Sequence, residues 1–314
     1  MAKVSCRRAF TETLLKAARE DPRICAITTD SRGSVTLGEF AAELPGRFIE
    51  LGIAEQNALA FAAGLASVGR NVFVAGPACF LCARGFEQIK VDVAYNKSNV
   101  KVVGVSAGVS YGPLGGTHTT LHDFASLRAL PNIRIFAPSD NIQTEAITEH
   151  LVSFRGPAYM RTGRGDVEPV YERGESFEMG RAKWVAEGKD LAIIACGEMV
   201  RQALNAADLL RAEGISAAVI DMFTLKPFDE EAVLRAARET GAVLTVEEHS
   251  RYGGLGEQAA HIIGEKYPVR VKILGFPDEE YKVGRSGELF AWYGLDGPGI
   301  AGAARSLIGA GGAG

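Results

Sequence analysis

Val100-Lys-Val-Val-Gly-Val-Ser-Ala-Gly-Val-Ser-Tyr-Gly-Pro-Leu-Gly-Gly-Thr-His118-Thr-Thr-Leu-His122 joins a β-branched run to a glycine-rich loop, which feeds a helical pattern. The run Val100–Val105 predicts a strand buried on both faces. His122–Leu130 predicts a helix, and Ile133–Ala137 a second strand. Strand, crossover helix and strand in this order imply a parallel sheet. Four glycines and one proline within residues 108–118 cost conformational entropy that a plain connector need not incur. Their place, beyond the carboxyl end of a parallel strand, is where open α/β sheets gather ligands. They do not form a Walker loop, because no Gly-Lys-Ser/Thr follows.

The alternation extends in both directions. Upstream it predicts strands at Ile24–Thr28 and Asn71–Ala75 and helices at Cys6–Arg19, Glu55–Val68 and Arg84–Ala94. Downstream it predicts a helix at Asn141–Val152 and a strand at Ala158–Arg161. Residues 165–190 are polar and read as a linker with one short strand near Ala182–Val185. A second alternation follows, with strands Leu191–Cys196, Ser216–Asp221, Ala242–Val246 and Val269–Leu274. Its helices are Met199–Glu213, Asp229–Thr240 and Glu257–Lys266, and the Gly/Ala end from Gly309 should fray. The expected fold is α/β with two doubly wound domains. They divide as 1–166, a linker 167–188, and 189–314.

Composition agrees with a folded protein: 314 residues, 47% hydrophobic, 23% charged. The net charge of −4 argues against nucleic-acid binding, which needs a clustered basic face. The opening Met1-Ala-Lys-Val-Ser-Cys-Arg-Arg8 has no apolar core of signal-peptide length. The most apolar stretch, Ala58–Val68, is too short for a membrane span, so no membrane partner is expected. Five scattered cysteines indicate a reducing, cytoplasmic location. Cys79-Phe-Leu-Cys82 has no second pair and reads as core thiols, not a metal or redox site.

Three loops at expected strand ends carry unusual chemistry. Glu50-Leu-Gly-Ile-Ala-Glu55-Gln-Asn57 places a carboxylate at a helix start, where helix-end electrostatics alone would favour it. The 106–118 loop ends in His118; His118 and His122 are spaced i,i+4, but no Glu lies between them as in zinc proteases. Met160-Arg161-Thr-Gly-Arg164-Gly offers two arginines to an anion such as phosphate, or marks a solvated domain edge.

Taken together, Gly52-Ile-Ala-Glu55-Gln-Asn57, Arg84-Gly-Phe-Glu-Gln-Ile89, Tyr111-Gly-Pro-Leu-Gly-Gly-Thr-His118 and Ala129-Leu-Pro-Asn-Ile133 resemble transketolase. Thr224-Leu-Lys-Pro-Phe-Asp229 and Glu247-Glu-His-Ser-Arg-Tyr-Gly-Gly-Leu-Gly256 do likewise. The resemblance runs from Arg7 to about Gly299 and is to the C-terminal half of that family. It implies a mostly parallel pyrimidine-binding sheet and a smaller mixed-sheet C-terminal domain. It also implies thiamine diphosphate as cofactor, with transfer of a two-carbon ketol unit from a ketose phosphate to an aldose phosphate. Glu55 matches the glutamate that hydrogen-bonds the aminopyrimidine and helps its nitrogen take the thiazolium proton. Phe80, Ile53 and Asp30 match further cofactor contacts. His118 matches a histidine facing the ketose donor, and Arg7, Ser34 and Arg164 match positions that bind the sugar phosphate. Leu114 and Ser106 depart from the family's usual aspartate and histidine, so the preferred sugar need not be one of the usual pentose phosphates. The sequence holds no Gly-Asp-Gly motif for gripping the diphosphate through Mg2+. A separate N-terminal subunit is therefore expected to hold the Mg2+, in an assembly of two copies of each chain. The alternatives are the beta subunit of a 2-oxo acid dehydrogenase and a non-catalytic regulatory paralogue.

Overall fold

A computed structural model describes residues 4–309. In chain order the strands are β1 (Val4–Ser5), β2 (Ile24–Thr28), β3 (Phe48–Glu50), β4 (Asn71–Pro77), β5 (Val100–Val105), β6 (Arg134–Phe136) and β7 (Ala158–Thr162). They continue as β8 (Asp166–Val167), β9 (Lys183–Ala186), β10 (Leu191–Ala195), β11 (Ala217–Asp221), β12 (Thr224–Lys226), β13 (Ala242–Ser250) and β14 (Arg270–Phe276). A seven-stranded sheet has the order β12-β6-β7-β5-β4-β2-β3 and is parallel except at β12. A five-stranded sheet has the order β14-β13-β10-β11-β9 and is parallel except at β9. This is the α/β architecture expected, one mostly parallel sheet and one smaller mixed sheet. β2, β4, β5 and β7 are buried at every residue because helices cover both faces of the sheet.

The helices are α1 (Cys6–Glu20), α2 (Gly38–Glu43), α3 (Glu55–Ser67), α4 (Ala78–Arg84), α5 (Phe86–Gln88) and α6 (Asp123–Arg128). After them come α7 (Asn141–Ser153), α8 (Met199–Ala212), α9 (Glu230–Thr240), α10 (Leu255–Lys266), α11 (Ser286–Tyr293) and α12 (Gly297–Gly309). The single helix expected over Arg84–Ala94 is instead α4, α5 and a π-helical stretch, Ile89–Tyr95. Gly85 makes the break: a Cβ there would lie 2.2 Å from Leu59 Cδ1, so the chain bends where α3 comes closest. Gly309, where the Gly/Ala end is expected to begin fraying, closes α12, and the rest of that end, 310–314, lies outside the described residues.

One strand crosses the division read from sequence. Thr224–Lys226 pairs with β6 and completes the first sheet, although it follows β11 of the second. The polar segment after β8 is tied down as well. Asp140 accepts hydrogen bonds from the Val170 and Tyr171 N–H groups, at 2.8 and 2.9 Å, and Tyr171 Oη donates to Asp221 at 2.7 Å. Among the described residues, no helix is long and apolar enough to cross a membrane.

Candidate active site

In a parallel sheet every strand ends on the same edge, so the loops after β2, β3, β4, β5 and β7 converge. Strand order places Arg164 (after β7), His118 (after β5), Phe80 (after β4) and Glu55 (after β3) along that edge in sequence. Side-chain contacts join them. The Glu55 carboxylate, 4% exposed, accepts from Arg84 Nη1 at 3.1 and 3.3 Å. The Arg84 guanidinium lies 4.2 Å over the Phe80 ring. Phe80 meets His118 edge to face at 5.2 Å, and His118 meets Tyr111 in the same way at 5.9 Å. Arg164 donates to Tyr111 Oη at 2.7 Å and stands 4.8 Å over its ring.

Glu55 begins α3 without acting as its cap: no side-chain bond closes that helix start. Burial beside Arg84 adds an ion pair to the helix-end electrostatics that its place in the first turn of α3 provides. His118 pairs through Nδ1 with Thr117 Oγ1 at 2.9 Å, which fixes the ring and leaves Nε2 for another partner.

At the far end Arg7, from the first turn of α1, donates to the Ser34 carbonyl at 2.7 Å. Burial lowers the Arg7 pKa, and the neighbouring charge of Arg164 lowers it further. The two like charges thus repel at the strand edge, and a bound anion would relieve that repulsion. Asp30 and Ile53 lie elsewhere on the edge. Glu50 Oε1 ties their loops by accepting from the Asp30 and Gly52 N–H groups at 2.6 and 3.2 Å, and Ile53 is 73% exposed.

Arg161 differs from its sequence reading as an anion ligand. It is turned inward and buried, bonded to Asp123 Oδ1 at 3.1 Å and to Glu248 Oε2 at 3.4 Å. The cause is the carboxylates that α6 and β13 bring to the end of β7. Leu114 is 56% exposed, whereas Ser106 is buried in the left-handed backbone region (φ +57°) with no partner for its hydroxyl. Cys79 and Cys82 are buried and free, and burial pushes both thiols up, Cys79 to about 11.

Sequence reasoning missed the roles of Arg84, Tyr111 and Glu248. Arg84 and Tyr111 sit inside the quoted motifs, but no spacing rule says that Arg84 pairs with a residue 29 positions away. Glu55 and Phe80 suit the aminopyrimidine end of thiamine diphosphate: a buried carboxylate is held by one arginine, and a half-buried ring stands beside it.

The family models of the transketolase pyrimidine binding domain and the transketolase C-terminal domain match residues 2–169 and 180–300. An apulose-4-phosphate transketolase subunit of Phocaeicola vulgatus is 53% identical over 298 residues, 95% of each chain. Human transketolase is 35% identical over 309 residues, 98% of this chain but 49% of that one. A solved structure described as a split gene transketolase, inactive beta4 tetramer, superposes with a TM-score of 0.88 at 38% identity, covering 98% of this chain and 99% of that one. The matches define the class, the thiamine-diphosphate-dependent enzymes that transfer two-carbon units. The chain belongs to the transketolase family, of which it carries the pyrimidine-binding and C-terminal domains.

Proposed function

We propose that this chain works with a separate N-terminal subunit and moves a two-carbon ketol unit from a ketose phosphate to an aldose phosphate. The observation that carries the reading is the chain of side-chain contacts from Glu55 to Arg164, with a cofactor-type end and, where the charge of Arg7 adjoins Arg164, an anion-type end. The similarity to the Phocaeicola transketolase subunit and to the split gene transketolase structure supports a two-subunit enzyme. In this reading the partner holds the diphosphate and Mg2+. Two copies of each chain and a cytoplasmic location belong to the same proposal.

When bound, thiamine diphosphate supplies the nucleophilic carbon that carries the two-carbon unit. Glu55 would hold a proton on the pyrimidine ring nitrogen, with Arg84 fixing the carboxylate. Phe80 would wall one face of that ring. His118 Nε2 would exchange a proton with a donor hydroxyl, its ring set by Thr117 and by the Phe80 and Tyr111 edges. Arg7 and Arg164 would clamp the phosphate, and the Ser34 carbonyl holds Arg7 in place. Leu114 offers no hydrogen bond where an aspartate is usual, which favours a sugar lacking the hydroxyl that the aspartate reads.

Mixing the chain with its N-terminal subunit and assaying two-carbon transfer from a panel of ketose phosphates, apulose 4-phosphate included, tests the reading. Transfer between sugars is expected; decarboxylation of a 2-oxo acid without transfer overturns it.

A further inference from the structure

The loop that bears His118 belongs to the first sheet, yet it rests on the second. Glu248, near the end of β13, accepts the Val109 N–H at 2.8 Å through Oε1, across 139 residues of chain. Gly108, at φ +61°, lies so close that a Cβ there would stand 2.1 Å from Glu248 Cδ. Ser286 Oγ donates to the Val109 carbonyl at 3.1 Å, and a Cβ on Gly116 would meet Tyr281 Cδ2 at 2.6 Å. Glu198, just before α8, backs the other arm of the site. A Cβ on Gly163, the residue before Arg164, would fall 1.5 Å from Glu198 Oε1.

We infer that Glu248, with Glu198 beside it, is a positioning residue through which the second sheet sets the His118 loop and the Arg164 corner for the reaction. Neither carboxylate belongs to the Glu55–Arg164 path. Apolar side chains could fill the same space without the cost of burying carboxylates, so packing alone does not account for the pair. Groups facing Glu248 are Arg161, Asp123 and Glu198, with Glu247 and His249 on either side in β13. Two acids, Asp123 and Glu248, contact Arg161, and burial pushes the carboxyls of Glu198 and Glu248 up. The inference rests on the functional reading above, since the loop matters to the reaction only if His118 does.

The test uses the two-subunit enzyme with Glu248→Leu and Glu248→Gln. The Leu variant should speed amide hydrogen exchange over residues 107–118 about tenfold, as expected for the loss of one buried hydrogen bond. Turnover should fall roughly 10- to 100-fold by misplacement of His118. Proton exchange at the cofactor's thiazolium carbon depends on Glu55 and not on the loop, so it should stay at the wild-type rate. The Gln variant keeps an oxygen acceptor and should retain loop protection and most turnover. Unchanged loop exchange in the Leu variant overturns the inference, and so does faster loop exchange with unchanged turnover. A parallel fall in thiazolium exchange also overturns it, because the damage is then general. Should the Leu variant not assemble, Glu248→Met removes the same acceptor with an unbranched side chain and must show the same loop signature. If the wild-type pair transfers no two-carbon unit, the functional reading fails, and no reaction remains for the clamp to serve.

Discussion

Glu55 and Arg164 mark the two ends of the site, and each makes a separable prediction. Glu55→Gln in the assembled enzyme keeps the volume and an oxygen for Arg84 but loses the proton-holding carboxylate. Turnover should drop about 10²- to 10⁴-fold with cofactor affinity little changed. NMR-followed proton exchange at the thiazolium carbon is the readout; a wild-type rate would return Glu55 to a structural role beside Arg84. Arg164→Ala removes one of two neighbouring like charges. It should raise KM for phosphorylated donors about 10- to 150-fold, the worth of a charge-assisted contact, and leave unphosphorylated analogues nearly unaffected. Equal losses for both substrate types would show that Arg164 serves Tyr111 rather than an anion.

Among the elements, the bend between α4 and α5 sets Arg84 against Glu55. Gly85 permits it because Leu59 of α3 and the Leu81 carbonyl occupy the space of a side chain, at 2.2 and 2.8 Å from an ideal Cβ. The carbonyl cannot swing aside as a side chain could. Gly85→Ala should therefore destabilise the chain by about 1–3 kcal/mol through overpacking. Urea unfolding measures this; a midpoint equal to wild type would mean that α3 yields at no cost. The helix expected at Arg84–Ala94 failed for the same reason. Apolar periodicity reports which face is buried, not how near the neighbouring helix comes.

Across the whole molecule, buried titratable groups fix the sign of the pH response. Burial pushes the carboxyls of Glu247 and Asp221 to about 7, and those of Glu198 and Glu248 also rise. Each keeps a proton that the unfolded chain loses above about pH 4.5, so stability falls as pH climbs through that window. His249 opposes them: burial lowers it to about 4, and below about 6.5 the unfolded chain takes up a proton that the folded one refuses. Burial also lowers His150, and four acids outweigh the two histidines. Lys101, lowered by burial to about 7, turns the slope around above that pH, because its unfolded form stays protonated to about 10.4. The Tm of the purified chain should thus fall from about pH 5 to 7 and level off toward 8. A Tm that rises over pH 5 to 7 would contradict this balance of protons.

The alternation of strands and helices, the two parallel-sheet units and the strand ends that carry Phe80, His118 and Arg164 are legible in the sequence, whereas β3, the three-residue strand before Glu55, is too short to show there. Periodicity and glycine placement are local, and a parallel sheet sends every such loop to one edge without further information. Tertiary structure alone decided which charges meet. Arg161 and Arg164, three residues apart, go to opposite environments because Asp123 and Glu248 arrive beside one of them from distant elements. Thr224–Lys226 joins the first sheet because its partner on β6 presents a free edge, which the order of the chain does not reveal. The hold of Glu248 on Val109 spans 139 residues, and its strength comes from burial, a property of the packed molecule that no local pattern encodes.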